Sequence, residues 1–195
     1  MEEYEVKYLN IDRAALEEKL RALGAKKVGD YNYRRIIFDY PDMRLDHQAA
    51  WIRLRDEGER STLTYKQRLG AKRNSTEGDT GMYERETVVS DFDATRDILL
   101  KSGLIEKMYQ ENTRTRYELA GVEYDIDTWP LIPTYLEIEG KNWEDVYAAA
   151  EKIGLKREDA KIFSANQIYK LNGLDDRNYT KLTFDEQIER TENRF

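Results

Sequence analysis

Pairs of like-charged residues two positions apart recur along this chain, and they are the residues best suited to do chemistry. In a β-strand, side chains at positions i and i+2 point to the same face, so each pair would present its charges side by side. Clustered carboxylates without His or Cys are hard oxygen ligands that suit Mg²⁺ or Mn²⁺, while rows of Arg and Lys bind phosphate oxygens. The rows are Glu3/Glu5 with Lys7, Arg53/Arg55, Thr64/Lys66/Arg68, Glu84/Glu86, Arg114/Arg116, Asp125/Asp127 and Glu137/Glu139.

These rows lie in segments with the two-residue alternation of β-strands, and many of the intervening positions are apolar. We predict eight strands, an even number that is large enough to close a barrel around a narrow interior. The predicted strands span residues 3–9, 32–39, 49–56, 61–68, 82–90, 111–119, 121–128 and 134–140.

Three segments have helical periodicity, and each follows a strand that carries Glu-x-Glu. A polar residue that caps the start of a helix and a glycine just after its end are the expected boundaries. The predicted helices run from Asp12 to Gly24, from about Asp91 or Asp93 to Gly103, and from Asn142 to Gly154. We therefore predict an α+β domain over residues 1–173, with a polar loop at 69–81. A charged tail would follow at 174–195, anchored through Leu182 and Phe184.

Two arrangements fit the alternation of charged and apolar residues. In the first, the charged side chains face solvent and the apolar ones fill the barrel, as in an ordinary antiparallel sheet. In the second, the apolar face packs under the helices, because amphipathic helices need an apolar sheet surface to cover, and the charges line the interior. Interior carboxylates and guanidinium groups are unfavourable unless a ligand and metal ions compensate them. The spacing alone leaves both arrangements open.

Composition narrows the classes of function. The chain has 195 residues, a net charge of -7, no cysteine and one histidine, His47, which lies in a predicted loop. These features exclude thiolate chemistry and disfavour a Ser-His-Asp triad, and the negative charge argues against nucleic acid as a partner. No segment approaches the ~20 apolar residues that span a bilayer, and the acidic start lacks a signal sequence. We expect a cytoplasmic protein that binds neither nucleic acid nor membrane.

The order of the charged motifs resembles that of the CYTH family, also called triphosphate tunnel metalloenzymes. This family includes class IV adenylyl cyclases, thiamine triphosphatase and inorganic triphosphatases. The resemblance extends over residues 1–171, and one departure is Asn112, where the family commonly has a basic residue. The matching segments are Glu3-Tyr-Glu-Val-Lys7, Trp51-Ile-Arg-Leu-Arg55, Leu63-Thr-Tyr-Lys66, Tyr83-Glu-Arg-Glu86, Arg114, Asp127 and Tyr135-Leu-Glu-Ile-Glu-Gly140.

The resemblance implies a closed, eight-stranded antiparallel tunnel with a charged interior and helices packed outside. It implies that Mg²⁺ or Mn²⁺ is bound by Glu3, Glu5, Asp127, Glu137 and Glu139. The triphosphate would be bound by Lys7, Arg53, Arg55, Lys66, Arg114 and Arg116. Glu5 and Lys66 would act in catalysis, and Glu84, Glu86 and Asp125 would support them.

Two reactions could use such a site, and we favour hydrolysis of a phosphoanhydride because it requires only a positioned water molecule. The alternative is cyclisation of ATP to cyclic AMP and pyrophosphate, which also needs a nucleoside pocket. A sensor that binds polyphosphate or nucleotide without catalysis is a third hypothesis. The expected partner is a small-molecule triphosphate, and a homodimer is left open.

Overall fold

The structure is a computed structural model that describes residues 4–68 and 82–191. Glu3 and the loop at 69–81 therefore lie outside the described residues. The chain divides into two compact units, Met1–Tyr31 with Asn112–Asp176 and Asn32–Glu111 with Arg177–Phe195. Residues 177–195, which make up most of the tail predicted from the sequence, fall in the second unit.

Ten strands and five helices follow one another along the described chain, with 3₁₀ turns at Arg157–Asp159 and Asp176–Asn178. They are β1 (Tyr4–Tyr8), α1 (Arg13–Ala22), β2 (Lys26–Asp39), α2 (Arg44–His47), β3 (Ala50–Asp56), β4 (Ser61–Arg68), β5 (Met82–Val89), α3 (Phe92–Lys101), β6 (Ile105–Leu119), β7 (Val122–Thr128), β8 (Tyr135–Gly140), α4 (Trp143–Lys152), α5 (Ala165–Leu171), β9 (Tyr179–Leu182) and β10 (Gln187–Glu189).

In the first unit, an antiparallel sheet with the order β1–β8–β7–β6 packs one face against α1 and α4. The buried cluster joins Val6, Ile126 and Ile138 from the strands to Leu20 and Val146 from the helices, each at most 1% exposed. Burying each such side chain contributes about 1.5–3 kcal/mol. This packing fixes the other face of the sheet as the one that carries the charged residues.

In the second unit, β2–β3–β4–β5 form an antiparallel ladder, and its apolar face packs against α3. Ile36, Phe38 and Leu54 from the strands meet Phe92, at the start of α3, and Leu104 just beyond its end. The charged residues of β3 and β4 alternate with these apolar residues, so they lie on the opposite face.

For the first unit, the solvent-facing arrangement of the charged rows is therefore wrong. Helices cover the apolar faces, and several charged residues of the first unit are buried, namely Lys7, Asp125, Asp127 and Glu137. The helices were the correct indication. Three amphipathic helices need the apolar side of the sheet, and this leaves the charged rows on the opposite face.

The three predicted helices are confirmed. The side chains of Asp12, Asp91 and Asn142 each accept a hydrogen bond from a backbone N–H in the first turn. The glycines after α1 and α4, Gly24 and Gly154, have φ of 80° and 78°, the left-handed region in which glycine ends helices without strain.

Two of the predicted strands are longer than expected, because β2 begins at Lys26 and β6 begins at Ile105. The first residues of β2 and β6 were not predicted as strand because charged residues interrupt the apolar alternation there. Lys107 of β6, for example, is buried in an ion pair, with its Nζ 2.6 Å from Asp46 Oδ1. Two helices, α2 and α5, were not predicted.

The tail also forms strands that were not predicted. β9 pairs in parallel with β6, Tyr109 opposite Lys181 and Gln110 opposite Leu182, and β10 pairs with β9. Leu182 is fully buried, as expected of an anchor, but Phe184 is 42% exposed and does not anchor the tail.

The described strands form a mostly antiparallel sheet with several helices, as expected of an α+β fold. Among the described residues, β1 and β5 each pair with one other strand, so closure of the sheet into a barrel is not among the observed pairings. No helix of the described chain is long and apolar enough to span a membrane.

Candidate active site

The charged face of the first unit carries a row with a pair of opposite charges at each end and two neighbouring carboxylates in the middle. Lys7 lies opposite Glu137, Glu137 opposite Asp125, and Asp125 opposite Arg116 on the four strands. Such cross-strand pairs of opposite charge stabilise a sheet. The pairs Lys7–Glu137 and Arg116–Asp125 therefore stabilise this row.

The next row of the same face consists of carboxylates. Glu5 lies opposite Glu139, and Glu139 lies opposite Glu123. Like charges in directly opposed positions destabilise a sheet unless a cation compensates them. Carboxylate oxygens of Glu5, Glu137 and Glu139 all lie within 4.8 Å of one another. Three oxygen donors at this spacing fit a hard divalent cation such as Mg²⁺ or Mn²⁺.

Lys7 lies between two of these three carboxylates. Its Nζ is 2.7 Å from Glu5 Oε1 and 3.0 Å from Glu137 Oε2, and its side chain is only 5% exposed. Burial alone would lower the pKa of Lys7, but the negative charges of Glu137 and Glu5 outweigh it and raise that pKa. Burial would likewise raise the pKa of Glu137, but the charges of Lys7 and Arg114 lower it to about 2. Both groups are therefore charged at neutral pH.

Arg114 is bound by three carboxylates at once. Its Nε and Nη2 bind the two oxygens of Asp127 at 2.7 and 2.6 Å, its Nη1 lies 2.5 Å from Asp125, and its Nη2 lies 3.2 Å from Glu137. The two aspartates are each 1% exposed. Burial raises the pKa of Asp127, although the guanidinium of Arg114 opposes that shift. This arginine is thus the counter-ion that permits the buried carboxylates to exist.

Arg116 is also paired with carboxylates. It binds Asp125 at 2.6 Å and Glu123 at 2.6 Å. The structure thus groups most of the residues predicted for the first unit into one acidic cluster. The acidic cluster comprises Glu5, Lys7, Arg114, Arg116, Asp125, Asp127, Glu137 and Glu139, with more carboxylates than cations.

The charged face of the second unit carries the remaining predicted residues, which we call the basic cluster: Arg53, Arg55, Lys66, Glu84 and Glu86. Lys66 Nζ lies 2.6 Å from Glu84, but Arg53 Nη2 lies 3.8 Å from Glu84 and 3.4 Å from Glu86. Burial, followed by the repulsion from Arg55, lowers the pKa of Arg53 to about 10. The guanidinium of Arg53 is therefore poorly compensated.

Three buried polar atoms of β3 and β4 have no hydrogen-bond partner within the described part of the chain. They are Nε of Arg53, Nε of Arg55 and Oγ1 of Thr62, and Thr62 lies opposite Arg55 in the register. A buried donor without a partner is unfavourable by about 1–3 kcal/mol. Atoms left in this state are suited to hydrogen-bond an anionic ligand or ordered water.

Three residues beside these clusters, Glu57, Glu123 and Thr62, were not predicted from the sequence. Glu57 forms an ion pair with Arg55 and lies 2.7 Å from Arg60, and Glu123 pairs with Arg116. Glu123 precedes Asp125 by two positions, so the alternation rule could have found it. Glu57 lies in the turn after β3 and Thr62 is uncharged, so neither carried a signal of that kind.

The comparisons with known proteins agree with this architecture. A protein of Pyrococcus horikoshii OT3 (PH1012) is 25% identical with a TM-score of 0.65, covering 85% of this chain and 98% of its own. A candidate adenylate cyclase from Vibrio parahaemolyticus is 15% identical with a TM-score of 0.71, covering 87% and 98%. A candidate adenylyl cyclase from Hippeastrum with a dominant triphosphatase activity is 17% identical with a TM-score of 0.62, covering 89% and 97%. No curated protein matches this chain significantly.

A family model also matches this chain. It is the model of the CYTH domain, and the match covers residues 1–171, which include both charged clusters and all eight strands expected from the sequence. On this evidence the chain belongs to the CYTH domain family.

Proposed function

We propose that this protein is a divalent-metal-dependent enzyme that hydrolyses a triphosphate: inorganic, nucleoside or thiamine triphosphate. The observation that carries the proposal is the group formed by Glu5, Glu137 and Glu139, whose oxygens lie within 4.8 Å of one another. Closure of the strands into a tunnel with the charges inside is part of the same proposal.

The donors in this group are all carboxylate oxygens, which suits Mg²⁺ or Mn²⁺ and disfavours zinc. Glu5, Glu137 and Glu139 would hold the ion, with Asp127 and Glu3 as further expected ligands. Such an ion neutralises charge on phosphate oxygens and lowers the pKa of a bound water molecule.

The basic cluster supplies the expected contacts to phosphate. Arg53 and Arg55 are adjacent cations with buried Nε groups that lack partners among the described residues. An anionic ligand would relieve their mutual repulsion and satisfy these donors. Lys66 adds a third cation, 2.6 Å from Glu84. In phosphoryl transfer, such groups stabilise negative charge on the transferred phosphoryl and its leaving group.

A hydrolytic water needs an accessible acceptor that can orient it. Among the three carboxylates of the group, Glu5 has a side chain that is 36% exposed, whereas that of Glu137 is 10% exposed. We therefore assign Glu5 the additional role of orienting or deprotonating the water, whereas Glu137 would serve only to hold the ion.

Cyclisation of ATP remains the second candidate because of one structural feature. A pocket with a mixed polar and apolar lining lies beside Tyr135 and is formed by Leu9, Asn10, Pro133, Ile168, Leu171 and Asn172. Tyr135 is paired with Asp127 of the acidic cluster. A pocket that combines apolar side chains with two asparagines suits the organic part of a nucleoside or thiamine triphosphate.

The test is incubation of the purified protein with ATP, tripolyphosphate and thiamine triphosphate, in the presence of Mg²⁺, Mn²⁺ or a chelator. Orthophosphate, pyrophosphate and cyclic AMP are then resolved. We expect metal-dependent release of orthophosphate that is abolished by Glu5→Gln or Arg53→Ala. The control Glu158→Gln alters a carboxylate whose side chain is 75% exposed and should leave the rate unchanged.

The other possible outcomes would each indicate a different function or contradict the proposal. Cyclic AMP with pyrophosphate would move the assignment to adenylyl cyclase. Tight binding of tripolyphosphate without turnover would indicate a sensor. The absence of both binding and turnover would overturn the proposal.

A further inference from the structure

We propose that Lys7 is a tethered cation that occupies the carboxylate group until a divalent metal displaces it, and that the displaced ammonium then binds an anionic ligand. This inference rests on the proposed function, since it concerns the same carboxylates. It adds one element that the proposed function does not require: a single lysine would couple metal binding to phosphate binding.

The position of the ammonium is the first argument. Nζ of Lys7 contacts Glu5 Oε1 at 2.7 Å and Glu137 Oε2 at 3.0 Å, so it bridges two of the three carboxylates that could hold a metal. Only 5% of the Lys7 side chain is exposed, so water competes little with the two carboxylates for the ammonium. The ammonium therefore supplies positive charge where a divalent ion would supply it.

The second argument is that both cations cannot occupy this position together. A divalent ion binds carboxylate oxygens at about 2.0–2.6 Å, which would bring it close to the ammonium in a buried setting where charges are weakly screened. The metal must therefore be excluded, or the ammonium must move away from Glu5 and Glu137.

The third argument is that only the side chain of Lys7 is able to move. Its backbone is paired with Glu137 on one edge of β1, and on the other edge it exchanges hydrogen bonds of 2.8 and 2.9 Å with Lys161. A lysine has a flexible four-carbon stem and a compact charge, so the ammonium can swing while the strand stays in place. Arg114, by contrast, is fixed by two hydrogen bonds to Asp127.

A displaced ammonium offers three hydrogen-bond donors to an anion. An anion that binds this ammonium favours the state in which the carboxylates are open to the metal. Because such coupling is reciprocal, metal favours the anion to the same extent. We therefore expect Mn²⁺ and tripolyphosphate to bind cooperatively to the wild-type protein, and this cooperativity should depend on Lys7.

The first experiment measures Mn²⁺ binding by calorimetry with and without tripolyphosphate, at the same total concentrations for every protein because tripolyphosphate itself chelates Mn²⁺. The variant Lys7→Met removes the charge and keeps the length. Lys156→Met removes an exposed lysine that pairs with Glu158 at 3.5 Å and controls for net charge. Relative to wild type, Lys7→Met should bind Mn²⁺ alone at least tenfold more tightly and gain at least tenfold less from tripolyphosphate. Lys156→Met should match wild type.

The outcomes separate this inference from the proposed function. If the wild type binds Mn²⁺ but Lys7→Met binds it with equal or lower affinity, Lys7 does not compete with metal and only this inference fails. If neither protein binds Mn²⁺, even with tripolyphosphate, the proposed function fails and this inference fails with it.

A second experiment uses the wild-type protein and does not depend on the folding of a variant. Lysines are labelled with acetic anhydride and quantified by peptide mass spectrometry, with Lys156 as the internal reference. Saturating Mn²⁺ should increase labelling of Lys7 at least threefold, and added tripolyphosphate should reduce it again. Labelling of Lys7 that stays unchanged with Mn²⁺ would overturn the inference.

Discussion

The two charged clusters use the same residue types and differ in how completely their charges are compensated. In the acidic cluster, Arg114 binds Asp125 and Asp127 at 2.5–2.7 Å. In the basic cluster, Arg53 reaches its carboxylates only at 3.4 and 3.8 Å, and its Nε has no partner among the described residues. The arginine of the first cluster is therefore compensated without a ligand, whereas the arginine of the second cluster is arranged to receive one.

The largest effect that would test this difference is the loss of Arg114. Arg114→Ala leaves Asp127 buried without the cation that binds both of its oxygens, while Asp125 keeps its ion pair with Arg116. This change should lower the free energy of unfolding by about 3–5 kcal/mol. Urea unfolding at neutral pH with chelator measures this. A loss below about 1 kcal/mol would mean that Asp127 does not depend on the arginine, and the contrast between the clusters would disappear.

A second test follows from the pKa of Glu137, which lies at about 2 in the folded protein against an ordinary value of 4.5. A lowered pKa stabilises the fold above the unfolded value and loses that stabilisation as pH falls toward the folded value. The free energy of unfolding of wild type should therefore fall between about pH 5 and pH 2, by on the order of 3 kcal/mol more than in Glu137→Gln.

This comparison is made by urea unfolding in chelator at several pH values. Glu158→Gln, a change at an exposed carboxylate, should keep the wild-type pH dependence. Equal pH dependence in wild type and Glu137→Gln would show that Lys7 and Arg114 do not hold this carboxylate ionised.

The basic cluster should behave in the opposite way. Arg53→Ala is expected to lower kcat/KM about 100-fold, or 2.7 kcal/mol, because it removes charge-assisted contacts to the substrate. Its free energy of unfolding should change by less than about 1 kcal/mol, since its ion pairs are long. Steady-state kinetics and urea unfolding on the same preparation check both numbers. A large loss of stability with normal kinetics would reverse the roles assigned to the two clusters.

The smallest expected effect concerns two threonines that are both fully buried on β4. The hydroxyl of Thr64 donates to Glu86 at 2.8 Å, whereas Oγ1 of Thr62 has no partner among the described residues. Thr62→Val should raise the free energy of unfolding by up to about 1 kcal/mol and weaken tripolyphosphate binding, while Thr64→Val should lower stability by about 1 kcal/mol. Thermal unfolding and calorimetry distinguish them. Equal destabilisation by both would mean that Thr62 is satisfied in the folded protein.

Much of the fold was predictable because it depends on local patterns. Alternation located the eight strands, and the caps Asp12 and Asn142 marked helix starts within one residue. Helix α5 could also have been found, since Ser164 and Gln167 form a capping box that is visible in the sequence. Helix α2 could not, because it has four residues and is held by Asp39, whose buried side chain accepts three backbone N–H groups.

The sequence predicted most of the residues that form the two charged clusters. It did not predict which of them form ion pairs with one another. Spacing and resemblance selected Glu5, Glu137 and Glu139, which the structure brings together. Arg114 binds carboxylates because the cross-strand register places it opposite Asp127. The alternation of residues along one strand does not specify this register. The role of Glu3 stays a prediction, since that residue lies outside the described range.

The strand pairing of the last residues has a consequence for where this protein can be shortened. The family match ends at residue 171, but β9 pairs with β6, and Arg190 donates hydrogen bonds to the backbone carbonyls of Lys107, Arg177 and Tyr179. A chain cut at the family boundary would leave part of β6 with unpaired backbone groups and would expose the apolar surface that Leu182 covers. The end of the family match and the end of the hydrogen-bonded structure are therefore different, and expression trials should keep the chain at least through Arg190.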